Sequence, residues 1–215
     1  MKTIKKTSLL FASLALVLGA GLVGNSDTKE VKAAADVYKK VTDVSEIEND
    51  GKYLIVYETD SSIFDGSLTK LDAVKNVKSV TIVNNEITDE TGTISKCYFT
   101  ISESSTSSNT SKKYTIKSAS NYYIGGKAKS NALQSSTTTS YDNTISFNNG
   151  NVVFTSNSTY LRFNSNLDQK RFRYYKTANS QKDIQLYKLN QKVIVNDAQT
   201  IIDLINAIGT VEYTD

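Results

Sequence analysis

All three arginines of the chain lie in two short segments, residues 160–163 and 171–176. Side chains alternate between the two faces of a strand, so each segment directs its basic and tyrosine residues to one face. If the segments pair as a hairpin across residues 164–170, these side chains form one exposed surface. The surface comprises Tyr160, Arg162, Arg171, Arg173 and Tyr175.

This arginine–tyrosine surface suits an acidic ligand. Guanidinium groups bind carboxylate, sulfate or phosphate at two points, and tyrosine rings stack on sugars or hold cations. We therefore predict binding of a glycan or an anionic polymer here. The alternative is a solvated sheet face whose arginines lie over the tyrosines.

A second candidate site combines Asn121 and Tyr122 with Tyr123 and the pair Gly125-Gly126. Two glycines would let a ligand approach the backbone closely. The alternative is a strand end that leads into a tight turn. A phosphate-binding loop is excluded, because the required glycine spacing and the following helix are missing.

The composition restricts the chemistry. The chain has no histidine and one cysteine, which removes histidine-dependent nucleophile systems and metal sites built on imidazole or several thiolates. Cys97 is predicted to be a buried thiol. The carboxylates at 60, 65 and 72 do not match a calcium loop, and those at 86, 89 and 90 are predicted to be turn residues. We predict no catalytic residue, metal or cofactor, and thus not an enzyme.

The first 35 residues have the features of a secretory signal peptide. Three early lysines precede an uncharged run over residues 8–24, and Ala33-Ala34-Ala35 offers a cleavage site before Asp36. A cut after Ala20 and a membrane anchor are the alternatives. This segment carries the whole net charge of +3, so the remainder is neutral. The sequence thus predicts a secreted or cell-surface protein that neither binds nucleic acid nor spans a membrane after cleavage.

Short alternating segments separated by polar turns predict an all-β domain over residues 36–190. Their spacing favours a barrel or sandwich. The twelve predicted strands are 53–58, 63–68, 77–83, 97–103, 113–117, 122–124, 132–135, 144–148, 151–155, 160–164, 171–176 and 183–189. The polar tracts 104–111 and 135–140 are predicted to be mobile hairpin loops.

A weak repeat refines the fold. The segments around Tyr53, Tyr123 and Tyr160 share a polar residue, then tyrosine, then an aliphatic residue. Tyr123 and Tyr160 are 37 residues apart, and Tyr53 and Tyr123 are 70 apart, close to twice that, which approximates a 40-residue period. With twelve strands, this pattern resembles a β-trefoil of the ricin-like kind, and Gln185-Leu186-Tyr187 looks like a variant of the Gln-x-Trp element of that family. A β-sandwich is the alternative. The chain lacks tryptophan, so no sugar site of the family is carried over.

Residues 40–189 also resemble an accessory β module of large secreted Gram-positive bacterial proteins. The segments that carry this resemblance are Gly51-Lys52-Tyr53-Leu54-Ile55-Val56-Tyr57-Glu58, Arg171-Phe172-Arg173-Tyr174-Tyr175-Lys176 and Ile184-Gln185-Leu186-Tyr187-Lys188. Such modules often accompany nuclease or other hydrolase domains, so the resemblance implies an auxiliary role. We expect a non-catalytic binding module. A hydrolase fragment and a structural spacer are the alternatives.

The composition changes within residues 191–215. Asp197 suits a helix N-cap, the apolar residues that follow have helical spacing, and Gly209 suits a stop. We predict a linker and one amphipathic helix, which resembles the first helix of small helical repeats in Gram-positive surface proteins. Either the helix packs on the β domain, or it begins a further helical domain of a longer protein.

Overall fold

The computed structural model describes residues 35–178 and 181–190. This part of the chain is all-β, with antiparallel strand pairing throughout and no α-helix. Three short 3-10 turns occur at Val44–Glu46, Glu58–Asp60 and Leu167–Gln169. The strands are β1 (Asp36–Val41), β2 (Gly51–Tyr57), β3 (Ser62–Phe64), β4 (Val77–Ser79), β5 (Glu86–Asp89), β6 (Phe99–Glu103), β7 (Tyr114–Ser118), β8 (Tyr123–Gly126), β9 (Leu133–Ser136), β10 (Thr144–Asn148), β11 (Asn151–Ser156), β12 (Thr159–Asn164), β13 (Arg171–Tyr175) and β14 (Gln185–Asn190).

The strands form two sheets. The larger one has ten strands in the order β5-β1-β14-β2-β6-β7-β8-β9, with β3 paired to β2 and β4 paired to β3. The smaller one is the meander β10-β11-β12-β13. The first and last described strands are neighbours, because β1 pairs with β14 from Val37↔Asn190 to Val41↔Leu186.

Each face of the large sheet covers its own hydrophobic core. Successive residues of a strand point to opposite faces, so β2 directs Tyr53, Ile55 and Tyr57 into the first core and Leu54 and Val56 into the second. This explains why β2 is almost continuously apolar instead of alternating. The first core also receives side chains of the small sheet: Val152, Phe154, Leu161, Phe163, Phe172 and Tyr174.

Aromatic contacts hold the small sheet against the large one. The rings of Tyr57 and Phe163 stack with their centroids 4.3 Å apart, and those of Phe64 and Phe172 stack at 5.3 Å. Aromatic pairs stabilise by about 0.5–1.5 kcal/mol beyond the area that they bury. The two sheets therefore share one packed interior.

The structure confirms the all-β prediction, and each of the twelve predicted strands overlaps an observed one. Two strands were missed, β1 and β5, and they pair with each other. The prediction that Glu86 and Asp89 are turn residues was wrong, because both lie in β5. The Asp89 carboxylate accepts three backbone hydrogen bonds from residues 93–95, so its burial is compensated.

The tract 104–111 does connect two paired strands, but its first residues are held in place. Ser104 and Thr106 donate hydroxyl hydrogen bonds to the Asp142 carboxylate at 2.7 and 2.6 Å. These hydrogen bonds lower the pKa of Asp142 below its usual value. The prediction of a mobile loop therefore does not fit the first residues of this tract.

Two predictions fall outside the described residues: the signal peptide over residues 1–35, of which the structure describes only the last, and the linker with its helix over 191–215. Within the described ranges, no helix has the length and apolar character needed to cross a bilayer.

Candidate binding site

The predicted arginine–tyrosine hairpin forms. Strands β12 and β13 pair with Tyr160 opposite Tyr175, Arg162 opposite Arg173, and Asn164 opposite Arg171. These residues share one face of the small sheet, because they occupy alternate positions on both strands. The sequence thus predicted the partner strand and the shared face correctly.

The expectation that this face is exposed was wrong. Arg162 is 6% exposed and Tyr175 is 5% exposed. Arg162 forms an ion pair with Asp183, and Arg173 contacts Asp72 through Nε and Nη2, both at 2.8 Å.

Two like charges directly opposite one another destabilise a sheet, so each arginine needs a nearby carboxylate. Since Asp72 and Asp183 already occupy the guanidinium groups of Arg173 and Arg162, these two arginines hold loops onto the sheet. Arg171 donates to Gln169 at 2.6 Å and, like Tyr160, remains half-buried. Little of the predicted ligand surface is therefore accessible.

The second candidate site also packs against protein. Asn121 is exposed in the β7–β8 turn with φ +75°, and Tyr122 packs on the first core. A Cβ at Gly126 would lie 2.7 Å from the Ser156 carbonyl oxygen, and one at Gly125 would lie 2.7 Å from Tyr141 Cγ. The close approach that the glycines allow is to the chain itself, which corrects the expectation that they admit a ligand.

A different surface brings cations and aromatic rings together. On the face of the large sheet that also bears the second core, Lys52 of β2 lies opposite Thr100 of β6, Thr100 opposite Lys117 of β7, and Lys117 opposite Tyr123 of β8. Tyr98 shares this face, two residues before Thr100. We call Lys52, Tyr98, Thr100, Lys117 and Tyr123 the lysine–tyrosine face.

Both lysines of this face lie over tyrosine rings. Lys52 Nζ is 4.7 Å from the ring centroid of Tyr98, and Lys117 Nζ is 5.0 Å from that of Tyr123. Cation–π contacts at exposed sites contribute about 0.5–1 kcal/mol. They favour positions of the ammonium groups over the rings, and no hydrogen bond or ion pair within the described ranges engages either group.

The charges on this face are not neutralised within the described ranges. The ion pairs of the described ranges involve other basic residues, such as Lys39, Lys40, Lys113 and Lys188. Neither Lys52 nor Lys117 takes part in them. Next to the face lies a shallow depression of about 370 Å³. It is lined by Ser67, Ser95, Lys96, Tyr98, Ala119 and Ser120.

Sequence reasoning missed this face, although the signal was present. Residues 97–103 and 113–117 were both predicted as strands, with a hairpin loop between them. Pairing them would have placed Thr100 and Lys117 on one face by alternation alone. The position of Lys52 beside Thr100 could not be predicted in this way, because β2 and β6 are distant in sequence.

The cysteine is not a reactive group in this structure. Burial, with the nearby Asp65 carboxylate, raises the pKa of the Cys97 thiol to about 12. The thiol donates to Asp65 Oδ1 at 3.3 Å. No cluster of three or more potential metal ligands occurs in the described part of the chain. The lysine–tyrosine face offers hydrogen-bond donors and ring faces, and no such cluster of metal ligands.

No protein-family model matches this sequence, and no curated protein matches it either.

Proposed function

We propose that this protein is an exported, non-catalytic binding module whose ligand is an acidic glycan or another anionic polymer of the cell envelope. The observation that carries the proposal is the pair of lysines over tyrosine rings on one sheet face, where Lys52 is exposed and Lys117 is half-buried. Ammonium groups attract carboxylate, sulfate or phosphate, while tyrosine edges and the hydroxyl of Thr100 suit sugar hydroxyls. A flat strip of this kind fits an extended polymer.

Binding to acidic polysaccharides tests the proposal. Polygalacturonate, a sulfated glycosaminoglycan and polyglycerol phosphate are titrated into the protein by calorimetry, with neutral dextran as the control ligand. We expect Lys52→Ala/Lys117→Ala to weaken binding of the best acidic polymer at least tenfold. A Lys70→Ala/Lys127→Ala variant removes the same charge from exposed lysines elsewhere and should lose less than threefold.

Equal losses of affinity in the two double variants would mean that only the net charge of the protein matters. That result would refute a defined site. Arg171→Ala tests the arginine–tyrosine surface separately. We expect this variant to bind normally, because most of that surface is covered.

We infer the β-trefoil as the finer description of the all-β fold, with the β-sandwich as the alternative. The adjacency of the first and last described strands, with β14 between β1 and β2 in the sheet order, supports it. An experimental structure that lacks threefold pseudosymmetry would refute it.

A fragment of a secreted hydrolase and a structural spacer are the alternative functions, and the reading frame beyond Asp215 tests the first of them.

A further inference from the structure

A groove of about 700 Å³ lies where a β-hairpin opens. The hairpin turns at Asn84 and Asn85, whose φ angles of +51° and +61° have the sign that a type I′ turn requires. Val83 and Glu86 exchange two hydrogen bonds of 2.9 Å beside the turn. Beyond this bridge the two arms separate, and residues of both arms line the groove together with residues of the segment 91–94 that follows β5.

The arms separate because each pairs elsewhere. Residues 77–80 join β3, with the Val80 amide donating to the Ser61 carbonyl at 2.9 Å. Residues 86–89 join β1, with the Lys40 amide donating to the Asn85 carbonyl at 3.0 Å. The hairpin therefore contributes its two arms to different parts of the large sheet.

This pairing fixes the direction of the main-chain groups. In an antiparallel ladder, alternate residues direct N–H and C=O toward the partner strand. Since Asn85 bonds to β1 and Glu86 bonds to Val83, the N–H and C=O of Thr88 point away from β1. By the same alternation from Val80, those of Thr81 point away from β3. Within the described ranges, no hydrogen bond from a turn or loop reaches the main chain of Thr81 or Thr88.

We propose that this groove binds an extended, lysine- or arginine-bearing polypeptide segment of a partner protein, which adds a strand between the two open arms. A strand is the ligand that complements alternating N–H and C=O groups on an open edge. The rim also exposes an apolar contact, because Val83 is 59% exposed. The proposal concerns a site separate from the lysine–tyrosine face and does not depend on the polysaccharide proposal.

The charges at the groove select the partner. Glu90 is exposed and has no cationic partner in the described ranges, whereas Glu86 is paired with Lys39 at 3.0 Å. A second copy of this edge is disfavoured. Antiparallel pairing of two β5 edges centred on Thr88 would set Glu86 opposite Glu90, and like charges directly opposite destabilise a sheet. A basic segment avoids this repulsion.

The test uses the full chain and a blocked heptapeptide of alternating lysine and valine. We expect saturable binding, with amide NMR shifts and slowed hydrogen exchange at Thr81 and Thr88. An alternating glutamate–valine peptide should bind at least tenfold more weakly. Two further versions of the lysine peptide are N-methylated at alternate amides, one at the odd positions and one at the even positions. Both should lose at least tenfold in affinity, because neither can hydrogen-bond to both arms.

Variants of the edge complete the test. Thr88→Pro removes the outward N–H and leaves the β1 ladder intact, so we expect at least a tenfold loss of peptide affinity, against less than threefold for Thr88→Val. Should Thr88→Pro not fold, Glu90→Lys should weaken the lysine peptide at least fivefold.

Equal binding of the N-methylated peptides would overturn the proposal, as would unchanged exchange at Thr88. Binding that appears only after residues 191–215 are deleted would assign the groove to the chain itself and would also overturn it.

Discussion

Arg162 and Arg173 show how a surface predicted to bind a ligand becomes a structural one. They face one another across β12 and β13, and each is matched by one carboxylate, Asp183 or Asp72. Asp72 is 101 residues from Arg173 in sequence. The alternation of the two strands could be predicted from local sequence, whereas the return of a distant loop could not.

Replacing Asp72 tests this account. Asp72→Asn leaves the Arg173 guanidinium beside Arg162 without its compensating charge. We expect the free energy of unfolding to fall by about 1–3 kcal/mol, less than for a fully buried pair because both side chains retain some solvent contact. Urea denaturation provides the measurement.

The matched control for this substitution is Asp168→Asn, which alters an exposed carboxylate and should change the free energy of unfolding by less than about 0.5 kcal/mol. Equal stability of Asp72→Asn and the wild type would contradict the structural role that we assign to the pair.

The two strands that the sequence did not predict, β1 and β5, both carry charged residues. β1 contains two consecutive lysines and β5 has an acidic residue at each end, so neither has the apolar content by which the other strands were found. Both are stabilised by partners instead: Lys39 pairs with Glu86 at 3.0 Å, and Tyr38 and Ile87 are buried in the second core. Burial and pairing overrode local propensity here.

The glycine pair of β8 lies where atoms from elsewhere in the chain leave no space for a Cβ atom. Gly126→Ala would drive a methyl group into Thr159 and the Ser156 carbonyl, where backbone has little room to move. Overpacking of this kind costs about 1–3 kcal/mol, so we expect a loss of stability in that range, measured by thermal and urea unfolding.

Gly92→Asn serves as the comparison for Gly126→Ala. Gly92 has φ +69°, a region that asparagine tolerates, and its nearest heavy atom would be 4.0 Å from the new Cβ. Unfolding midpoints that are equally lowered in the two variants would argue against steric crowding at β8.

Across the whole molecule, the large sheet joins two cores. Leu186 and Tyr187 are neighbours on β14, yet Leu186 is buried in the first core and Tyr187 in the second. The continuous apolar stretch of β2 and the adjacent Leu186 and Tyr187 of β14 indicate sheet faces that are both covered. The sequence alone could not reveal which strands cover them, because that depends on long-range pairing.

The coupling of the two cores can be measured with Cys97, which is buried in the second core. Leu186→Ala creates a cavity in the first core and should cost about 2–5 kcal/mol. If the molecule unfolds as one unit, thiol labelling of Cys97 in the native protein should accelerate by roughly 30-fold or more, since each 1.4 kcal/mol is tenfold.

Leu167→Ala, which truncates a leucine that is 85% exposed, should leave the labelling rate unchanged. Labelling of Cys97 that is also unaffected by Leu186→Ala would mean that the cores open independently.

The adjacency of β1 and β14 has a mechanical consequence. Val37 lies opposite Asn190, so tension applied through the two ends of the described domain would pull on one end of a single antiparallel pair. The hydrogen bonds of that pair would then break in succession instead of sharing the load. Under stretching, we expect the domain to unfold from the Val37–Asn190 end. Separation of β14 would withdraw its buried side chains from both cores.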